Sequence, residues 1–249
     1  MPATPSVIGL LSGIDLWLPR QVMLASRQEE RILTEESPMS AIANRLIAAK
    51  VIPVIRTIDE ASARLAVEVL SGLGFDVFEI TLTTPRALEI IRDLSAEPSL
   101  CIGAGTVLTP EDGASAIYAG ARFVVSPAFV DGLAEVCSTA DVPMVLGAAT
   151  PTEALRAHLA GAAFVKVFPA AQLGGPGFVK ALKSVYPQIR LMPTGGINPG
   201  DIAPYFGAGA VAIGMGGNLA SEVALRAGEI DVIRQAAADV RREIDGLDQ

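Results

Sequence analysis

The stretch Phe164-Val165-Lys166-Val167-Phe168-Pro169 is an almost wholly apolar run that contains one lysine. Such a run is typical of a strand that is covered on both faces, as in a parallel sheet. A strand here would bury the amino group of Lys166, and burial favours the neutral amine, which condenses with ketones to form a Schiff base. The alternative is a lysine at a strand end that extends its amino group into water.

Outward from this stretch, the chain alternates short apolar runs with amphipathic runs from residue 40 onward. Proline often stands at the start of the amphipathic runs and glycine at their end, as at helix termini. Ser40 is expected to cap the first helix. We predict helices at 59–73, 85–94, 110–118, 151–159 and 178–185, and strands at 51–56, 77–81, 100–106, 123–126, 143–147, 164–167, 191–194 and 210–214.

Eight strands that each precede a helix predict an α/β fold, a (β/α)8 TIM barrel. An open doubly wound sheet is the alternative, but no Gly-x-Gly-x-x-Gly loop follows the first strand. The barrel domain is expected to span residues 39–249. Residues 1–38 are interpreted as an N-terminal extension of unknown role.

Composition narrows the classes of function. The chain has 249 residues and a formal net charge of −8, with 51% hydrophobic residues, and its pI is about 4.8. The sequence has no basic stripe of the kind that binds nucleic acid, and it has no apolar run long enough to predict a membrane span. Cys101 and Cys137 are interpreted as unpaired thiols of a cytoplasmic protein. With His158 as its one histidine, the chain is expected to have no His-rich metal site.

Polar residues recur where the predicted strands end, and the carboxyl ends of barrel strands form the functional face of this fold. Glu79 lies two residues from Val77 and Thr81, so the three side chains share one face of their strand. Inside the barrel, an apolar wall would make Glu79 hold its proton more tightly, which suits proton transfer. The alternative is a salt bridge with Arg56 or Lys166. The strand-end set is Arg56, Glu79, Thr81, Thr106, Ser126, Lys166, Thr194, Gly195, Gly196 and Gly214 to Gly217.

Two glycine-rich loops follow the seventh and eighth strands, Met192-Pro-Thr-Gly-Gly-Ile197 and Ile213-Gly-Met-Gly-Gly-Asn218. Glycine lets backbone N–H groups approach an anion closely, and this pair of loops is the usual phosphate position in the fold. The alternative is two tight turns that need positive φ. Because both loops occur together, the sequence predicts a phosphate site.

These segments together resemble the family of 2-keto-3-deoxy-6-phosphogluconate (KDPG) and 4-hydroxy-2-oxoglutarate (KHG) aldolases, whose close relatives act on the galactonate epimer. The resemblance covers roughly residues 40–245. It implies a (β/α)8 barrel, usually a homotrimer, that needs neither metal nor organic cofactor. The matching runs are Val51-Ile-Pro-Val-Ile-Arg56, Phe78-Glu-Ile-Thr81, Ile102-Gly-Ala-Gly-Thr-Val107, Phe123-Val-Val-Ser-Pro127, Val165-Lys-Val-Phe-Pro169 and Pro193-Thr-Gly-Gly-Ile197.

The resemblance also implies roles for individual residues. Lys166 matches the Schiff-base lysine and Glu79 the general acid/base. Arg56 matches an arginine that helps to hold the substrate carboxylate, and Thr106 matches a threonine that lines the pyruvate pocket. The expected ligands are pyruvate and a phosphorylated 2-keto-3-deoxy sugar acid. The other residues expected to contact them are Phe168, Thr194 and the glycines Gly195, Gly196, Gly216 and Gly217.

Three positions depart from the family pattern. Thr83 stands where many gluconate-type members have an arginine, so Arg56 would carry more of the carboxylate binding. Gly217 replaces a serine of the last loop, and Leu146-Gly147 replaces Pro-Gly. Galactonate-type and non-phosphorylated substrates therefore stay open. Two different kinds of protein stay open as well, namely a barrel kept only for assembly or ligand binding and a phosphosugar isomerase or epimerase.

Overall fold

A computed structural model describes residues 37–247, so the predicted extension lies outside the described residues except for Ser37 and Pro38. Strands and helices alternate along these residues. The strands are β1 (Val51–Ile55), β2 (Val77–Thr81), β3 (Cys101–Gly105), β4 (Val124–Val125), β5 (Met144–Ala148), β6 (Phe164–Val167), β7 (Leu191–Pro193) and β8 (Ile213–Met215). The helices are α1 (Pro38–Ala49), α2 (Glu60–Ser71), α3 (Ala87–Ser95), α4 (Pro110–Tyr118), α5 (Leu133–Thr139), α6 (Pro151–Leu159), α7 (Pro176–Val185), α8 (Ile202–Gly207), α9 (Glu222–Ala227) and α10 (Ile230–Gly246).

The strands form one parallel sheet in the order β7-β6-β5-β4-β3-β2-β1-β8. Consecutive strands are neighbours, and β1 also pairs with β8, so the sheet curves into a nearly closed barrel. The predicted (β/α)8 fold is confirmed. The alternative prediction of an open doubly wound sheet is wrong, because that fold reverses its strand order at a switch point and this sheet does not.

The join between β7 and β8 differs from the other strand pairs. It consists of two isolated bridges, one between Leu191 and Ala210 and one between Thr194 and Gly214. Pro193, at the end of β7, has no amide hydrogen to donate to a neighbouring strand. The barrel is therefore loosely paired where β7 and β8 lead into their glycine-rich loops.

The predicted bounds of several elements need correction. Ser40 is not the cap of α1, because Ser37 accepts a hydrogen bond from the Ser40 N–H at 3.2 Å and the helix begins at Pro38. The fourth strand contains two residues and the eighth begins at Ile213. The first of these errors arose because a serine within the first helical turn has the same sequence context as a capping serine.

The core has two layers. A cluster inside the barrel includes Ile52, Phe123 and Phe164, and Leu46 of α1 packs against it. A larger cluster fills the space between the strands and the surrounding helices. Every residue of the strands is buried, which explains their almost continuous apolar sequence. Within residues 37–247, no helix combines the length and apolar character that crossing a bilayer requires.

Candidate active site

Lys166 and Glu79 form an ion pair inside the barrel. Lys166 lies on β6 and Glu79 on β2, and the distance between Lys166 Nζ and Glu79 Oε1 is 3.3 Å. The lysine side chain is 4% exposed and the glutamate side chain is fully buried. Lys166 therefore does not extend into water, so the interpretation as a solvated strand-end lysine is wrong.

The two oxygens of the Glu79 carboxylate differ in their hydrogen bonding. Oε1 accepts a hydrogen bond from Lys166, whereas the buried Oε2 has no hydrogen-bond partner among the described residues. A buried carboxylate oxygen without a partner is costly and is characteristic of functional sites. Oε2 is thus available to exchange a proton with a bound molecule or with water.

A glycine of β3 makes room for this carboxylate. A Cβ atom built on Gly105 would lie 2.1 Å from Glu79 Oε1. Any larger residue at this position would force the Glu79 side chain away from its present position. Gly105 therefore fixes where the carboxylate lies relative to Lys166.

We expect Gly105→Ala to lower kcat by about tenfold or more, because the displaced carboxylate loses its contact with Lys166. Gly113→Ala is the matched control: its Cβ would lie 2.5 Å from Leu133 Cδ1, outside the barrel. Both variants overpack the protein and should lower its stability by about 1–3 kcal/mol, but only Gly105→Ala should affect turnover. Steady-state kinetics and thermal melting of the two variants test this, and an unchanged kcat for Gly105→Ala would contradict it.

A cavity of about 210 Å³ opens above the ion pair. Lys166 lines its wall, and the Lys166 Nζ atom is 5.6 Å from the centroid of the Phe168 ring. Most of the residues predicted to contact substrate meet at this cavity. These are Arg56, Phe168, Thr194, Gly195, Gly196, Gly216 and Gly217.

Thr106, which directly follows β3, is not among the residues that line the cavity, but it contacts Arg56, which is. An Nη2 N–H of Arg56 donates a hydrogen bond to Thr106 Oγ1 at 3.2 Å. Thr106 has a φ of 57°, a left-handed conformation that is uncommon for threonine. The Arg56 side chain is exposed, so its guanidinium can donate to an anion in the cavity.

The glycine loops also line the cavity. Gly195 and Gly196 have φ values of 96° and 73°, and a Cβ on Gly196 would lie 2.7 Å from Ala171 Cβ. These two positions therefore need glycine for conformation and for space. By contrast, a Cβ on Gly217 would meet no atom within 4 Å, so packing does not explain the absence of a serine there.

Three polar strand-end residues bond to protein groups. Thr81 and Thr83 pair through their hydroxyl oxygens at 3.0 Å, and Thr81 also contacts the Thr84 hydroxyl at 3.3 Å. The Ser126 hydroxyl accepts a bond from the Ala128 N–H at 3.3 Å. Thr83, the first departure from the family pattern, thus extends a hydroxyl cluster at the end of β2.

Sequence reasoning missed four residues of the cavity wall, of which Asn218 is the one with a polar side chain. It directly follows Gly217 as the last residue of the predicted loop Ile213–Asn218, and that position was the available signal. The other three contribute apolar or backbone surface and carried no chemical signal. The four are Val54, Pro127, Ile197 and Asn218.

The thiols do not compete with Lys166 as nucleophiles. Burial raises the pKa of Cys101 to about 11 and that of Cys137 to about 11. Both side chains are therefore protonated at neutral pH, and the thiol form is a poor nucleophile. Among residues 37–247, no three His, Cys, Asp or Glu side chains are grouped so that they could hold a metal ion.

Comparison with known proteins gives consistent matches over the barrel. The family model described as KDPG and KHG aldolase matches residues 42–236. The chain is 41% identical over 158 residues to the 2-dehydro-3-deoxy-phosphogluconate aldolase of Pseudomonas aeruginosa, covering 63% of this chain and 72% of the relative. It is 33% identical over 195 residues to the KHG/KDPG aldolase of Escherichia coli K12, covering 78% and 92%.

A solved structure gives the same match in three dimensions. It is the KDPG aldolase of Legionella pneumophila with pyruvate captured as a covalent carbinolamine. It is 34% identical to this chain and superposes with a TM-score of 0.73, covering 80% of this chain and 97% of that one. The likeness therefore extends over nearly the whole of the solved chain.

Proposed function

Because the chain belongs to the family of KDPG and KHG aldolases, we propose that it cleaves 2-dehydro-3-deoxy-6-phosphogluconate to pyruvate and glyceraldehyde 3-phosphate through a Schiff base on Lys166. The chain is thus an aldehyde-lyase. The observation that carries the assignment of residues is the buried Lys166–Glu79 pair at a cavity, with Glu79 Oε2 unpartnered among the described residues. A structural ion pair alone has no need for an unpartnered oxygen or an adjoining cavity.

The first step needs a neutral amine. Transfer of one proton from Lys166 Nζ to Glu79 Oε1, which lie 3.3 Å apart, gives an amine and a carboxylic acid. The amine then attacks the C2 ketone to form a carbinolamine. Glu79 returns a proton to the departing hydroxyl, water leaves, and an iminium ion remains on Lys166.

The iminium ion accepts electrons when the carbon chain breaks. Glu79, directly or through a water molecule, removes the proton of the C4 hydroxyl, and the C3–C4 bonding electrons move to the iminium group. The aldehyde product leaves and an enamine stays on Lys166. The proton that Glu79 took from the C4 hydroxyl group is added to the enamine carbon C3, and water hydrolyses the resulting iminium ion to pyruvate and free Lys166.

The two ends of the cavity suit the two ends of the substrate. The exposed guanidinium of Arg56, next to Thr106, would bind the carboxylate of the pyruvate half. The backbone N–H groups of the glycine loops would bind the phosphate. Thr194 and Phe168 would contact the chain between them. Holding both ends keeps the ketone carbon in reach of Lys166, and such positioning contributes several kcal/mol to catalysis.

A substrate panel tests the proposal. Pyruvate release is followed with a lactate dehydrogenase assay for the phosphogluconate substrate, its galactonate epimer and 4-hydroxy-2-oxoglutarate. The proposal predicts the highest kcat/KM for the phosphogluconate substrate. Preference for the epimer would correct the substrate and retain the chemistry, whereas no pyruvate from any of the three would reject the aldolase assignment.

Assembly and location follow from the family and from the thiols. We propose a homotrimer, the state that the family resemblance implies, and light scattering on the purified protein would measure it. Two buried and unpaired thiols support a reducing compartment, so we place the enzyme in the cytoplasm.

A further inference from the structure

The two glycine loops continue from two strands that are only loosely paired with each other. β7 and β8 are joined by the two isolated bridges described above, and Pro193 cannot donate a hydrogen bond. The loops that follow contain Gly195 and Gly196 on one side and Gly216 and Gly217 on the other. Glycine loses more backbone freedom on ordering than any other residue. A bound anion would therefore have to order both loops unless something already joins them.

The Asn218 side chain makes that connection. Its Nδ2 group donates to the carbonyl oxygen of Ile197 at 2.9 Å and to Asn198 Oδ1 at 3.1 Å. Asn218 is on the β8 loop and both acceptors are on the β7 loop. Because a carbonyl oxygen can only accept, the orientation of the Asn218 amide is fixed by these contacts.

The acceptor side of the connection is itself held in place. The backbone N–H of Asn198 donates to Asp201 Oδ2 at 2.8 Å, and its side-chain Nδ2 donates to the same oxygen at 3.1 Å. These bonds lie in the short 3-10 helix Pro199–Asp201, which leads into α8. Asn218 therefore attaches the β8 loop to a fixed helix start.

We infer that Asn218 is a positioning residue that holds the two glycine loops together in advance and so sets the affinity for the anionic end of the substrate. The inference rests on the proposed function and adds the residue that determines phosphate affinity. Contacts that exist before binding reduce the ordering cost that binding must overcome. Such contacts would also offset the hydroxyl group that Gly217 does not supply.

The test is Asn218→Ala, measured with the phosphorylated substrate and with pyruvate. We expect KM for the phosphorylated substrate to rise about tenfold with kcat within about twofold, since uniform binding is lost. The pyruvate concentration that gives half-maximal borohydride inactivation should not change, because pyruvate has no phosphate end. Asn218→Asp should raise KM further, because its carboxylate would face two acceptor oxygens and repel the phosphate.

Ser221→Ala is the matched control on the same loop. The Ser221 hydroxyl accepts a bond from the Ala224 N–H at 3.3 Å and caps α9, without reaching the β7 loop. Its loss should lower the melting temperature and leave KM unchanged. With an active wild type, an unchanged KM for Asn218→Ala, or an equal rise for Ser221→Ala, overturns the inference alone. A wild type that yields no pyruvate from the whole panel rejects the proposed function instead.

Discussion

Replacing Lys166 by alanine is expected to abolish aldol cleavage, with kcat lower by about 10⁴-fold or more, because no other group can form the covalent intermediate. The substitution also removes the counter-ion of the fully buried Glu79. An uncompensated buried charge is strongly destabilising, but the carboxyl group can avoid this cost by taking up a proton. Loss of activity must therefore be separated from loss of fold.

Two further variants make that separation. Lys166→Met keeps the length of the side chain without an amine, and we expect it to be folded and inactive. Lys180→Ala removes an exposed lysine of α7 and should be fully active. Circular dichroism and thermal melting would establish that each variant is folded. Turnover by folded Lys166→Met above about 1% of the wild-type rate would contradict the mechanism.

The second large effect is expected at Glu79. Glu79→Gln keeps the shape of the side chain but cannot take a proton from Lys166 or from the C4 hydroxyl group. General acid/base groups typically contribute 10²–10⁴-fold, so we expect kcat to fall by about 10²-fold or more. The decrease should appear both in pyruvate release and in the rate of Schiff-base formation, since one carboxyl group serves both steps.

The control for this variant is Glu68→Gln, a change on the exposed face of α2. It removes the same charge from the protein without touching the cavity and should leave kcat unchanged. Near-normal turnover by Glu79→Gln would mean that Glu79 only balances the charge of Lys166. Equal losses in both variants would point to net charge and not to proton transfer.

Much of the site could be predicted because strand alternation is strict. Side chains two apart share a face, so Glu79 could be placed on one face with Val77 and Thr81, and the structure shows that this face is the barrel interior. An apolar run around Lys166 implied burial, and the structure confirms it. The contact between the two side chains could not be derived from strand pairing, because β2 and β6 are not neighbours in the sheet. The curvature of the barrel brings them together.

Other features depend on contacts that sequence spacing does not encode. Gly105 looks like any small residue of a glycine-rich strand until the position of the Glu79 carboxylate is known. Asn218 looks like a turn residue, and its role depends on where the β7 loop presents the Ile197 carbonyl oxygen. The capping of α1 by Ser37 instead of Ser40 depends on one hydrogen bond, from the Ser40 N–H to the Ser37 hydroxyl oxygen.

The most direct test of the mechanism is to trap the intermediate. The protein is incubated with pyruvate and sodium borohydride, digested, and the modified peptide is identified by mass spectrometry. The proposed mechanism predicts one reduced pyruvyl adduct, on Lys166, that is absent from Lys166→Met. The other lysines of the sequence are Lys50, Lys180 and Lys183. An adduct on any of these, or none on Lys166, would contradict the Schiff-base assignment.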